Sequence, residues 1–188
     1  MEIIKGGVTA AKGYKAASTA AGIKYQNRKD MAMIVSEVPA VSAGTFTSNV
    51  VKAAPVQWDR KVVEETCAQA IVVNAGIANA CTGAEGMKYC SETAEKVEEL
   101  LQIPASQVLV ASTGVIGMQL PMDRLNAGME AMAPALSDSN ESGHEAAKAI
   151  MTTDTREKEA AVTFSIGGKT VTLGGMCKGS GMIHPNMC

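Results

Sequence analysis

Ser112-Thr113-Gly114-Val115-Ile116-Gly117 is the segment of this chain best suited to stabilising a developing negative charge. A strand that runs into Thr-Gly places backbone N–H groups at a sharp turn, beside a hydroxyl. Such a set of donors can hold an oxyanion. The same glycine also suits a turn that needs it only for its backbone angles. A second segment, Asn74-Ala75-Gly76-Ile77-Ala78-Asn79-Ala80-Cys81-Thr82-Gly83, follows a strand-like run. Its small residues permit close approach of backbone to a ligand. Its asparagines suit equally a tight loop whose side chains satisfy local backbone groups. Thr152-Thr153-Asp154-Thr155 brings hydroxyls and a carboxylate that suit a polar substrate, or a plain loop after a helix. The last segment carries Lys178 in Lys178-Gly179-Ser180-Gly181. Its order is wrong for a phosphate-binding P-loop, where lysine follows the glycines and immediately precedes Ser or Thr. His144 and His184 have no evident triad partner, and nothing local activates Cys188 as a nucleophile.

Alternating strands and helices must position these segments. Met31 to Val38 is an apolar run that predicts a buried strand ended by Pro39. Ser42 to Val51, rich in β-branched residues, is expected to pair with it. Ala68 to Val73 predicts another strand, ended at Asn74-Ala75-Gly76. Met87, Cys90, Ala94, Val97 and Leu101 fall on one stripe and predict a helix over 85–101. Thr82 and Glu85 have the spacing of a capping box before it. Gln107 to Ala111 reads as a strand leading into Thr113. Helices are expected from Pro121 through Met132 and over about 142–151. Ala161 to Ile166 and Lys169 to Leu173 read as a hairpin around Gly167-Gly168. The mixture lacks a strict βαβ rhythm. It predicts a layered α/β fold with mixed sheets and not a Rossmann domain.

The 188 residues suit one domain, 1–188. Net charge is −2 and aromatics make up 3%, which gives nucleic acid neither a basic patch nor a stacking platform. Five cysteines without CxxC spacing favour reduced thiols in the cytoplasm over disulfides or zinc, so no metal site is expected. No stretch predicts a signal peptide or a membrane span. The Gly-rich, apolar run from Gly174 to Cys188 reads as a chain cut inside something buried.

Several of these segments, in this order, resemble the ornithine acetyltransferase family, also called arginine biosynthesis bifunctional proteins. The resemblance rests on Ser112 to Gly117, Asn74 to Gly83, Thr152 to Thr155 and Lys178 to Met187. It also includes Gly6 to Tyr14, Lys29 to Ile34, Gly44 to Asn49 and Ala53 to Val56. Relatives often carry alanine where Cys188 stands and asparagine where Ile77 stands. The family fold implied is an α/β/β/α-type sandwich with mixed sheets, N-terminal-nucleophile-like (DOM-fold-like), completed by a partner β chain.

The resemblance implies that this chain is the α subunit of a self-cleaved precursor, with cleavage after Cys188. The β chain would begin with the threonine nucleophile and assemble with this chain as an α2β2 heterotetramer. An N-terminal threonine carries its own base, because an α-amine titrates at about 7.7–8.0 and is partly neutral near pH 7. The implied reaction is ping-pong: N-acetylornithine acetylates the threonine, ornithine leaves, and glutamate takes the acetyl group. Thr113 (hydroxyl) and Gly114 (N–H) would form the oxyanion hole, and Thr152 and Lys178 would bind substrate. Lys178 suits the α-carboxylate that ornithine and glutamate share. No cofactor is expected, and acetyl-CoA stays open as a second acetyl donor. A related N-terminal-nucleophile amidohydrolase or peptidase is the alternative reaction, and a non-catalytic binding module the alternative role.

Overall fold

The structure is a computed structural model that describes every residue except Thr66, Ser180 and Ile183. Ser180 and Ile183 of the terminal motif therefore lie outside the described residues. The fold is α/β with two sheets. The larger sheet has the order β2-β3-β4-β5, built from Tyr14–Thr19, Met31–Val41, Cys67–Ile77 and Val108–Val115. It is mixed: β2, β3 and β4 are antiparallel neighbours, and β4 and β5 run parallel. The smaller sheet is antiparallel, β1-β6-β7, from Glu2–Ile4, Lys158–Ile166 and Lys169–Cys177.

Alternation along β3 explains the layering. Met31 and Met33 face one way, into a core with Leu125, Met129 and Met132 of α3 (Met122–Met132) and Ala94 and Val97 of α2 (Ala84–Leu101). Ala32 and Ile34 face the other way, onto Ala146 and Ala149 of α4 (Asn140–Ala149). The small side chains on this second face let α4 lie close to the sheet and bridge it to β6. The first face needs long methionines to reach two helices, and their unbranched chains fill irregular gaps. A further helix, α1 (Ala54–Glu64), covers the free edge of β5. Its Trp58 Nε1 donates to the Val108 carbonyl at 2.9 Å, and its Asp59 accepts the Val110 N–H at 2.8 Å. These side chains satisfy backbone groups that a further strand would otherwise pair.

Several expected boundaries move. Pro39 does not end its strand, because β3 runs on to Val41 across a register shift between Val35 and Ala40. A bulge tolerates the missing proline N–H. Residues 42–51 do not pair with β3; Thr47 instead bridges Met187. Asn74-Ala75-Gly76 lies within β4, which continues to Ile77. The helix over 85–101 is present as α2, but its N-cap is Gly83 and no side chain caps it. Thr82 donates instead to Asn79 Oδ1 at 2.7 Å, which removes the predicted capping box. The hairpin turns at Gly167-Gly168 as predicted and is longer than the sequence indicates. No helix among the described residues is long and apolar enough to cross a membrane.

Candidate active site

The site forms at the carboxyl ends of the parallel pair β4 and β5, where open α/β sheets commonly bind ligands. Thr113 and Gly114 belong to β5 itself and not to a turn after it, which corrects the expectation of a sharp turn. Thr113 stands opposite Ala75, and Gly114 opposite Gly76. Gly114 has φ of +135°, and a Cβ there would lie 2.2 Å from the Gly76 carbonyl carbon. The backbone is thus drawn in too close for any side chain. Glycine is required at this position by contact as well as by angle.

The other two candidate residues arrive from the opposite sheet. Lys158 pairs with Cys177 at the open end of the β6–β7 hairpin. That register sets the loop before β6, with Thr152 and Asp154, beside the loop after β7, with Lys178. Lys178 Nζ donates to Thr113 Oγ1 at 3.0 Å and to Thr152 Oγ1 at 2.8 Å. Three residues proposed from sequence therefore meet at one ammonium.

The direction of these bonds matters for chemistry. A lysine ammonium only donates, and a hydroxyl that accepts from it must point its own proton elsewhere. Each threonine O–H is thus polarised by a cation and left to donate outward. Such chains of hydrogen bonds strengthen one another where water is scarce. Thr113 and Lys178 are half-buried, and Gly114 lies exposed beside them.

Asp154 does not offer its carboxylate to a ligand as the sequence suggests. Its Oδ1 accepts from the Gly179 N–H at 2.6 Å and from Lys158 Nζ at 2.7 Å, and its Oδ2 accepts from the Thr152 N–H at 3.2 Å. The Lys158 ammonium, then the Gly179 amide, hold this carboxyl well below the usual carboxylate range. Sequence reasoning missed this role. The signal that could have found it is the spacing of Asp154 and Lys158, which lie four residues apart.

The Asn74–Gly83 segment proves structural. Asn74 and Asn79 are 3% and 1% exposed. Asn74 Nδ2 donates to the Ile77 carbonyl, and Asn79 Nδ2 to the Gly86 carbonyl, both at 2.8 Å. The Asn79 N–H donates to Ser112 Oγ at 2.8 Å, so the segment braces β5 just before Thr113. His144 is also structural: its Nδ1 lies 2.8 Å from Glu159 Oε1 and ties α4 to β6. Cys188 is exposed and pairs with Phe46, each N–H donating to the other's carbonyl at 3.1–3.2 Å. Among the described residues, no group of three or more His, Cys, Asp or Glu could hold a metal ion.

The fold and this cluster define an α/β protein with two threonine hydroxyls gathered around one lysine ammonium. The sequence profile of the ArgJ family matches residues 15–188. The chain is 53% identical to the arginine biosynthesis bifunctional protein ArgJ of Symbiobacterium thermophilum and 50% identical to that of Caldanaerobacter subterraneus subsp. tengcongensis. These matches cover 100% of this chain and 46% of each of those proteins. Among solved structures, it superposes on the ArgJ protein of Bacillus halodurans with a TM-score of 0.93 at 44% identity. It superposes equally well, at 41% identity, on the ornithine acetyltransferase of Mycobacterium tuberculosis complexed with ornithine. Each superposition covers 99% of this chain and 98% of the solved chain. The chain belongs to the ArgJ family. It spans about half the length of the curated relatives it matches.

Proposed function

We propose that this chain is the α half of a glutamate N-acetyltransferase that moves acetyl from N-acetylornithine to glutamate in arginine biosynthesis. The observation that carries this reading is the Lys178 ammonium shared by Thr113 and Thr152, beside the Gly114–Gly76 contact, in a member of the ArgJ family. The nucleophile is the N-terminal threonine of a β chain released by cleavage after Cys188. Its hydroxyl attacks the acetyl carbonyl, and its own amine takes the proton. The carbonyl oxygen gains charge as the tetrahedral intermediate forms. The Thr113 O–H, polarised by Lys178, and the Gly114 N–H receive that charge. Collapse of the intermediate, with the proton passed from that amine to the leaving nitrogen, expels ornithine and leaves an acetyl-threonine. Glutamate then attacks the ester through a second intermediate held by the same donors. Thr152 and Lys178 orient both substrates, and Lys178 supplies the charge that matches their common α-carboxylate.

Support for a second chain comes from length: the solved relatives are matched over 98% of their chains, and the curated relatives over 46% of theirs. The assembled enzyme is an α2β2 heterotetramer working in the cytoplasm without a metal or cofactor. The whole precursor, expressed and incubated with N-acetylornithine and glutamate, tests the reading by product analysis. N-acetylglutamate and ornithine are expected in equal amounts. Free acetate as the sole acetyl product would replace transfer by hydrolysis. Replacing N-acetylornithine by acetyl-CoA in the same assay decides whether acetyl-CoA also serves as donor.

A further inference from the structure

Thr113, Thr152 and Lys178 reach one another across sequence separations of 65 and 26 residues. A lysine has a long, flexible stem, so two hydroxyl contacts do not by themselves fix where its ammonium rests. The loop that carries it adds no stiffness, because Gly179 follows directly with φ of +137°. Something else must hold this loop against the loop that carries Thr152.

We propose that Asp154 is the positioning residue of the site: its carboxylate locks the Lys178 loop to the Thr152 loop, so that one ammonium serves both threonines. This rests on the acetyl-transfer reading above. The side chain of Asp154 is fully covered. Among the described residues, its three donors come from three separate places. The Gly179 N–H belongs to the residue after Lys178, the Thr152 N–H to the residue that receives the ammonium, and Lys158 to the start of β6. The contacts close a ring from Lys178 Nζ to the Thr152 hydroxyl, from the Thr152 N–H to Asp154, and from Asp154 to Gly179 beside Lys178. Lys158 anchors that ring to the sheet. Charge-assisted bonds of this kind are shorter and stronger than neutral ones. An ionised carboxylate accepts at both oxygens, as the ring requires. An asparagine would turn an amide N–H₂ toward one of the two backbone donors.

Both Asp154 carboxylate oxygens are engaged by these donors, so its proposed effect on the chemistry passes through Lys178. A double-mutant cycle reads that dependence directly. The full precursor is prepared as wild type, Asp154→Asn, Lys178→Met and the double variant. Single-turnover release of ornithine from N-acetylornithine is measured for each, together with thermal unfolding. Asp154→Asn is expected to slow release about 10–100-fold in the wild-type background, less than the loss of a whole oxyanion donor. In the Lys178→Met background it is expected to slow release less than about threefold. Equal losses in both backgrounds, which a purely structural role would give, overturn the proposal.

If Asp154→Asn does not fold, Lys158→Met takes its place in the cycle, since it keeps the carboxylate and both amide contacts. A roughly three- to tenfold loss that vanishes without Lys178 supports the proposal, and equal losses or no loss overturn it. The Gly179 amide gives a readout that needs no activity. Its hydrogen exchange is expected to quicken at least about tenfold in Asp154→Asn, as loss of a bonded acceptor exposes it. Unchanged protection overturns the proposal. A wild type that releases no ornithine at all would instead overturn the acetyl-transfer reading and leave the exchange result to judge the ring.

Discussion

Two aspartates lie near β5 and are treated in opposite ways. Asp59, on α1, accepts the backbone N–H of Val110 and forms no ion pair among the described residues. Burial pushes its pKa up from 3.8 to about 7. Asp154, in the loop before β6, sits near the surface, covered by its own donors. A lysine and two amides hold it ionised well below the usual range. The contrast separates two uses of a carboxyl. Asp59 caps a strand edge and is best tolerated neutral. Asp154 organises a site and can do so only while charged. The proposed chemistry therefore belongs to the end of β5 where donors have been gathered, and not to the edge where a perturbed acid is merely buried. A raised pKa alone would have pointed to the wrong residue.

The largest expected effect lies at the Asp154 end. Thr113→Val keeps the shape of the side chain and removes the hydroxyl that Lys178 polarises. Steady-state assays of the full precursor should show kcat lowered about 10²–10³-fold, the range for one oxyanion donor. A loss below about threefold would mean that the gathered donors serve no charge in the reaction. Next comes Gly114→Ala, which drives a Cβ into the Gly76 carbonyl at a positive φ. Urea unfolding should show a loss of about 3 kcal/mol or more, the size expected of backbone strain with a clash.

Asp59 gives a smaller, pH-dependent effect. Its folded pKa lies above its ordinary value, so its contribution to stability is fully present below about pH 4 and lost as pH rises to about 7. Asp59→Asn should remove that slope, worth up to a few kcal/mol at about 1.4 kcal/mol per unit. Urea midpoints at pH 5 and pH 8 check this, and parallel behaviour of variant and wild type would contradict it. Asp154 has the opposite sign: its contribution is present above its ordinary value of 3.8 and lost only as pH falls further. Asp154→Asn should leave the change between pH 5 and pH 8 as it is in the wild type.

The smallest effect is read at a thiol. Burial, with the nearby Asp59 charge, pushes the Cys90 thiol up to about 12. A thiol reagent at pH 8 should leave Cys90 untouched in the folded protein and modify the exposed Cys81, Cys177 and Cys188.

The candidate residues Thr113-Gly114, Thr152 and Lys178 could be named from the sequence because they sit in motifs that resemble those of the ornithine acetyltransferase family; their residue types alone left structural readings open. Their convergence could not be read, since it depends on the β6–β7 register that sets Lys158 beside Cys177. Asp154 was visible as a carboxylate but not as an inward one, because its direction is decided by the Gly179 amide from a distant segment. In the fold, α2 was legible because its apolar residues form a stripe. Helix α1 was not: it buries only Ala54, Pro55 and Val62 and has no capping side chain. The Asn74–Gly76 segment looked like a strand end because asparagine and glycine disfavour strands. Pairing with Ser112 to Gly114 overrides that preference.

In the proposed reaction this chain supplies the donors and a second chain the nucleophile. Intact mass measurement of the assembled protein, incubated with N-acetylornithine and no glutamate, tests it most directly. One acetyl group is expected on the N-terminal threonine of the second chain, and addition of glutamate should remove it. Release of ornithine with both chains unmodified, or an acetyl group carried on this chain, would rule out a threonine nucleophile on the second chain.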